Sequence, residues 1–179
     1  MRWLSLCAAL AAFGVAPAAR AQEAFAGVYA HGVDTPLTLH TGEKGIDLVL
    51  GCRLPSIEAL RAIGRPAPYL IGSLNARGDT SFAGAGVSWT FGKGRVFVRP
   101  TVALVVHDGP AYRVDQQTEQ RTDLGSRVLF EPELAIGYRL NEATAIEASW
   151  MHVSQGRLFN SQQNPGIDMM GLRLTRRLR

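Results

Sequence analysis

The sequence has few cysteines, little net charge and, after its first residues, no long apolar run. Only Cys52 lies beyond residue 21, so we expect neither an intramolecular disulfide nor a Cys/His metal cluster there. The formal net charge is +4, and it falls to +2 when Arg2 and Arg20 are left out. So small a charge gives no reason to expect a nucleic-acid partner. No apolar run after residue 21 is long enough for a transmembrane helix.

The long apolar run that does occur lies at the N terminus. Arg2 precedes an apolar stretch over residues 4–15, and the sequence Ala-Arg-Ala follows at 19–21. A basic residue, an apolar core and an A-x-A cleavage site in this order are typical of a secretory signal peptide. We therefore predict a signal peptide over residues 1–21 and a single domain over residues 22–179.

Beyond residue 21, apolar and polar residues alternate along most of the chain. Alternation with a period of two indicates β-strands that have one apolar face. About eight segments show it, near residues 24–31, 45–52, 67–75, 80–91, 94–107, 126–139, 144–154 and 167–178. An even number of strands is expected for a bacterial outer-membrane barrel.

The charged residues of these segments share one face, and the opposite face is apolar. They are Arg99, Glu131, Glu133, Arg139, Glu147 and Arg173. Soluble β-sandwiches also alternate, but their solvent-facing side is polar. The best segments are about ten residues long or longer, which lets a tilted strand cross the hydrocarbon. The pattern therefore predicts an all-β fold: an eight-stranded antiparallel transmembrane β-barrel of the bacterial outer membrane, with a charged interior.

The connections between the segments predict how the barrel is oriented. Short connections at 91–94 and 140–143 alternate with longer polar ones at 108–125 and 155–166. Because such barrels have short periplasmic turns and long outer loops, the short connections are expected on the periplasmic side. The segment 53–66 does not fit, since it indicates a short helix or irregular insert where a tight turn is expected.

Polar residues interrupt the apolar face near the end of the seventh segment. Trp150, His152 and Ser154 are two positions apart and so project from one face, opposite to that of Glu147. This face is expected to point toward lipid, and Asp168 begins the next strand on the same side. Polar groups at that depth are costly unless they have a function. A serine, a histidine base and a carboxylate suit nucleophilic acyl transfer, although a polar interfacial rim would show the same spacing.

The motif His152-x-Ser154, followed by Asn164-Pro165-Gly166-Ile167-Asp168 and an amphipathic last strand, resembles the PagL-type lipid A 3-O-deacylases. The close resemblance covers about the last thirty residues. It implies an eight-stranded outer-membrane barrel that hydrolyses the ester-linked 3-hydroxyacyl chain at position 3 of lipid A. The implied substrate is lipid A or lipopolysaccharide, and the implied chemistry needs no metal and no cofactor.

The same resemblance assigns a role to each residue of the motif. Ser154 is expected to be the nucleophile, His152 the general base and Asp168 the acid that orients His152. Gln155 and Gly156 are the expected oxyanion donors, Gln155 standing where the family usually has Asn. Asp168 stands where the best-known members carry Glu, so its side chain is one methylene shorter.

Two other functions stay open on the sequence. One is a structural or binding barrel of the outer membrane with no hydrolase activity. The other is an esterase that acts on phospholipid rather than on lipid A. Outer-membrane lipids surround the protein in each case, and a homodimer is an open alternative to a monomer.

Overall fold

Eight antiparallel strands close into a barrel in chain order. The computed structural model describes residues 22–36, 41–110, 123–158 and 164–178, so the predicted signal peptide lies outside the described residues. The strands are β1 Glu23–His31, β2 Gly45–Arg53, β3 Ala67–Asn75, β4 Phe82–Ser88, β5 Val96–His107, β6 Val128–Arg139, β7 Thr144–Ser154 and β8 Gly166–Arg177. The predicted eight-stranded barrel is confirmed, with most strand bounds within two residues of the alternating segments.

Strand β4 ends before the alternating segment near 80–91 does, and a proline explains the difference. The Trp89 amide donates to the Pro100 carbonyl over 2.9 Å. Pro100 has no N–H to donate in return, so the ladder between β4 and β5 is interrupted there. Pairing resumes at an isolated bridge between Phe91 and Val98.

The strands alternate between side chains buried inside the barrel, which include most of the strongly buried charged residues, and outward side chains that are mostly apolar. In β6, Leu129, Glu131 and Glu133 are buried, whereas Leu134 and Ile136 on the other face are exposed. The same alternation leaves large apolar side chains exposed on the outer wall of β1, β2, β5, β7 and β8. Hydrocarbon rather than water suits such a surface. The predicted charged interior is therefore confirmed.

An ion-pair network fills the inner half of the barrel around Glu147. Arg173 donates to Glu147 through Nε at 2.9 Å and Nη2 at 2.7 Å, and Thr175 donates through Oγ1 at 2.7 Å. Arg99 also donates to Glu147. Arg173 Nη1 lies 2.6 Å from Glu133 Oε1, so one buried guanidinium joins two buried carboxylates.

The two ends of the barrel differ in their connections. The β2–β3, β4–β5 and β6–β7 connections lie at one end, and the remaining four lie at the other. The connections at 108–127 and 155–165 belong to the second end, which is therefore the outer end. The β2–β3 connection contains a 3-10 helix, Glu58–Ile63, so the short helix predicted within 53–66 is present at the inner end. No helix of the described residues combines the length and the hydropathy of a membrane span.

Replacing Arg173 by leucine should destabilise the barrel strongly. The substitution leaves Glu133 and Glu147 buried without their shared cation, and breaking a buried pair in this way costs about 3–5 kcal/mol. Urea unfolding of the protein in detergent micelles would measure the change. Arg176→Leu is the control, because Arg176 is exposed near the inner end of the same strand. An Arg173→Leu barrel as stable as the wild type would show that the network contributes nothing to folding.

Candidate active site

The site lies on the outer wall of the barrel, between β7 and β8 near their outer ends. The register places His152 directly opposite Asp168. Both residues share the outward phase of their strands with exposed Met170 and Leu172. His152 Nδ1 lies 3.0 Å from Asp168 Oδ1. Antiparallel pairing alone therefore brings the two side chains into contact.

Two further side chains donate to the Asp168 carboxylate. Trp150 Nε1 donates to Oδ1 at 2.8 Å, and Thr35 Oγ1 donates to Oδ2 at 2.6 Å. Asp168 is completely buried. Charge-assisted hydrogen bonds of this kind compensate for the loss of water around a buried carboxylate. The Val33 amide also donates to the Asp168 carbonyl at 2.9 Å, which holds the chain after β1 against β8.

The pairing with Asp168 fixes the tautomer of His152. An ionised carboxylate only accepts hydrogen bonds, so Nδ1 must carry the proton that joins the two residues. In the neutral imidazole, Nε2 then keeps a free lone pair and can accept a proton. The His152 side chain is 15 % exposed, so it is accessible from the membrane side.

Ser154 and the Nε2 side of the His152 imidazole both lie next to Gly166. Gly166 is the cross-strand partner of Ser154. A Cβ built on Gly166 would lie 3.0 Å from His152 Nε2 and 3.3 Å from Ser154 Cβ. The glycine therefore leaves the space that the imidazole occupies. Among the described residues no hydrogen bond joins Ser154 to His152.

A tight turn follows Ser154 and contains both expected oxyanion donors. The Leu158 amide donates to the Gln155 carbonyl at 3.2 Å, and φ is +63° at Gly156 and +60° at Arg157. Positive φ at both central residues is typical of a type I′ turn, in which glycine is favoured. Gln155 is completely buried, whereas Gly156 is exposed. The turn keeps both residues next to Ser154 but at different depths.

Apolar side chains surround the site on the outer wall. Phe130 of β6 is the cross-strand partner of Ser154, and Leu134 and Met170 are largely exposed on the same side. The β6–β7 ladder has no pairs between Phe130–Ser154 and Glu133–Met151, where Pro132 lacks an N–H. The described ranges contain no group of three or more His, Cys, Asp or Glu residues that could hold a metal ion. The apolar side chains around the site suit contact with an acyl chain rather than with a hydrated substrate.

From the sequence, no role in the site was predicted for three of the residues that shape it. Trp150 shares a face with His152 two positions away, and this spacing could have indicated that both side chains contact the same residue, Asp168. Gly166 lies in the quoted motif, but its contact with the imidazole depends on the strand register. Thr35 is separated from Asp168 by 133 positions and gives no local signal.

Comparisons with known proteins agree with this architecture. A model of the family described as Lipid A 3-O-deacylase (PagL) matches residues 61–177. The crystal structure of the outer membrane enzyme PagL is similar with a TM-score of 0.60 at 16 % identity, covering 87 % of this chain and 99 % of that chain. Neisserial surface protein A is similar with a TM-score of 0.58 at 8 % identity, covering 87 % and 96 %. A comparison with curated protein sequences gives no match.

The two kinds of likeness carry different information. The structural likenesses are at low identity and show the barrel fold, which both outer-membrane proteins share. The family match covers more than half of the chain and includes the segment with His152, Ser154 and Asp168. Together with the lipid-facing wall, it places the protein in the bacterial outer membrane. The chain belongs to the PagL family of lipid A 3-O-deacylases.

Proposed function

We propose that this protein removes the 3-hydroxyacyl chain at position 3 of lipid A with Ser154 as nucleophile, His152 as base and Asp168 as the orienting acid. The observation that carries the proposal is the contact of 3.0 Å between His152 Nδ1 and the buried Asp168, on the outer wall beside Ser154. A polar cluster facing lipid in this arrangement is costly and needs a function. Family membership supplies the substrate class.

In the first half of the reaction, an acyl group is transferred to the enzyme. His152 Nε2 takes the proton of the Ser154 hydroxyl while Oγ forms a bond to the ester carbonyl carbon. The carbonyl oxygen becomes an oxyanion, and the imidazolium is stabilised by Asp168. When the tetrahedral intermediate collapses, the bond to the 3-oxygen of lipid A breaks, and His152 returns the proton to that oxygen.

In the second half, water releases the acyl group. His152 takes a proton from water, and the resulting hydroxide adds to the carbonyl carbon of the acyl-Ser154. Collapse breaks the bond to Oγ, and the proton on His152 goes to the serine. A free 3-hydroxy fatty acid leaves, and the enzyme regains its starting state.

The residues after Ser154 are the proposed oxyanion donors. The Gly156 amide and the Gln155 side-chain amide both belong to the turn that follows the nucleophile, where Gly156 is exposed and Gln155 is completely buried. Preorganised N–H donors of this type contribute about 2.7–4 kcal/mol each to stabilising the transition state. Gln155 keeps the amide donor of the family's usual Asn on a longer side chain.

The position of the site favours lipid A over phospholipid as the substrate. Ser154 ends β7 and Gly166 begins β8, so the reacting groups lie at the outer end of the wall. Lipid A occupies the outer leaflet of the outer membrane, whereas glycerophospholipids occupy the inner leaflet. An ester within the upper part of the outer leaflet can therefore reach Ser154 without crossing the membrane.

Ser154→Ala and His152→Ala should each abolish release of the 3-hydroxy fatty acid from lipid A, because nucleophile and base act as one unit. The double variant should be scarcely slower than either single variant. Mass spectrometry of lipid A incubated with the purified protein in mixed micelles measures the loss of one hydroxyacyl chain. Phospholipid in the same micelles reports the competing esterase activity.

Ser149→Ala is the matched control for these variants. Ser149 lies on the same strand in the opposite phase and bonds to Tyr29 inside the barrel, with 2.7 Å between the two oxygens. The Ser149→Ala protein should therefore keep its activity. An active Ser154→Ala protein, or an inactive Ser149→Ala protein that folds, would contradict the assignment of the nucleophile. No hydrolysis of either lipid by the wild type would favour a binding or structural barrel.

Asp168→Asn should lower kcat by about a hundredfold, less than the roughly 10⁴-fold loss caused by a wrong histidine tautomer. The Trp150 indole can only donate, so it keeps the amide oxygen of Asn at the Oδ1 position, where His152 Nδ1 also donates. The tautomer is then retained, and only the negative charge is lost. Single-turnover hydrolysis of lipid A measures kcat. If the Asn variant reacts as fast as the wild type, Asp168 has no role in the reaction. If it loses activity as completely as Ser154→Ala, the argument that the tautomer is retained is wrong.

Thr35→Val should reduce kcat about tenfold, since Asp168 Oδ2 loses a donor at 2.6 Å without a change in side-chain shape. Thr35→Ser keeps the hydroxyl and should restore most of the activity. The same lipid A assay compares the three proteins at saturating substrate. If valine and serine have equal effects, the hydroxyl does not act through Asp168.

A further inference from the structure

The 3-10 helix Glu58–Ile63 at the inner end and its N-cap residue carry three exposed apolar side chains at a spacing of three, which form an apolar stripe. A 3-10 helix has three residues per turn, so side chains three positions apart lie directly above one another. Ile57, Leu60 and Ile63 follow this spacing, beginning at the residue that caps the helix. Their exposed fractions are 36 %, 38 % and 60 %. Leu60 has non-helical backbone angles (φ −97°, ψ 25°), so the element consists of two short turns with a kink between them, and none of the three side chains is covered by the barrel.

The helix rests against the outer side of the barrel wall. Trp89 continues the outward phase of β4, and its Nε1 donates to the Ile63 carbonyl at 2.8 Å. A Cβ built on Gly64 would come within 3.1 Å of Trp89 Cδ1. Because the indole projects outward from the wall, the end of the helix that it holds is on the membrane side of the barrel and not over its lumen.

The lipid-facing wall continues up to this helix. Phe91, Val96 and Val98 are exposed on the outward face next to Trp89. A Cβ on Gly64 would also lie 3.7 Å from Phe91 Cε1, so the helix borders this apolar surface directly. The stripe and the wall thus form one continuous apolar region at the inner edge of the membrane.

Of the other two faces of the helix, one is charged and the other carries Ala59 and Ala62. Glu58 and Arg61 occupy a second face three positions apart, and both are exposed. Arg65 Nε lies 3.2 Å from Glu58 Oε2 just beyond the helix. A helix with an apolar face and a charged face beside a bilayer lies in the interface, with the apolar face toward the acyl chains.

We propose that this helix is an interfacial anchor, whose stripe of Ile57, Leu60 and Ile63 inserts among the acyl chains of the glycerophospholipid leaflet at the inner end of the barrel. Trp89 holds the helix at the level of the lipid headgroups, where indole rings are favoured. Arg61, on the neighbouring face, is then at the depth of the lipid phosphates. The proposal does not depend on the activity of the outer site.

Nitroxide labels placed along the helix test the proposal. Single cysteines replace each residue from 57 to 63 in the full-length protein, in which Cys7 and Cys52 are alanine. The labelled proteins are reconstituted in vesicles of phosphatidylethanolamine and phosphatidylglycerol, where both leaflets are alike and the direction of insertion does not matter. Collision with oxygen, relative to collision with a water-soluble nickel chelate, measures the depth of each label.

We expect the oxygen-to-nickel ratio to be several-fold higher at Ile57, Leu60 and Ile63 than at Glu58 and Arg61. A ratio that peaks every third residue supports the anchor. Uniformly high accessibility to nickel would overturn it, because the helix would then stand in water. Uniformly high accessibility to oxygen would also overturn it, because no one-sided stripe would exist.

Two matched pairs of substitutions give a second measurement with the label at position 57. Leu60→Asp with Ile63→Asp places charges on the stripe, and Ala59→Asp with Ala62→Asp places them on another face of the same helix. The first pair should move the label into water, and the second pair should leave its depth unchanged. Equal effects of the two pairs would contradict insertion through this stripe.

Discussion

Hydrocarbon offers no hydrogen-bond partner to a peptide group, and the other features of this protein depend on that constraint. Eight antiparallel ladders satisfy the backbone, and pairing of β1 with β8 removes the two edges that an open sheet would expose to lipid. The strands must then alternate between a lipid-facing and an enclosed side chain. Buried ion pairs around Glu147 and a polar cluster around Asp168 are two outcomes of this alternation, on opposite sides of one wall.

The alternation along β7 separates the side chains of the interior network from those of the proposed site. β7 carries Glu147 and Ser149 inward and His152 and Ser154 outward. The inner set is held by arginines and a tyrosine that no substrate can reach from the membrane. In the outer set, His152 contacts Asp168 of β8, and its side chain is accessible from the membrane side. Substitutions on the two faces should therefore have independent effects, although they alternate residue by residue.

The strands could be predicted from the sequence because alternation is visible in the residues themselves. Their ends depended on partners that are distant in the chain, as where Pro100 interrupts pairing beside Trp89. The segment 53–66 was predicted as a short helix or an irregular insert, and the side of the wall on which it lies was not predictable. That side depends on the hydrogen bond between Trp89 and Ile63, which joins two separate connections.

The proposed site likewise has a part that could be predicted from the sequence and a part that could not. His152, Ser154 and Asp168 belong to one hairpin, so their local spacing and a family resemblance sufficed to single them out. The contact between His152 and Asp168 then required only the register of that hairpin. Thr35 could not be found, since it meets Asp168 only through closure of the barrel.

Closure of the barrel therefore has a consequence for when the protein can work. The β7–β8 hairpin alone contains the three proposed reacting residues, but without β1 its carboxylate lacks the hydroxyl of Thr35 and the backbone contact from Val33. Both contacts come from the chain that follows β1, and they form only when β1 pairs with β8. While the barrel is still open during assembly, the Asp168 carboxylate therefore lacks these contacts and is accessible to water. The proposed site is in this sense complete only in the finished barrel, and a chain that is still assembling contains its three residues without these contacts.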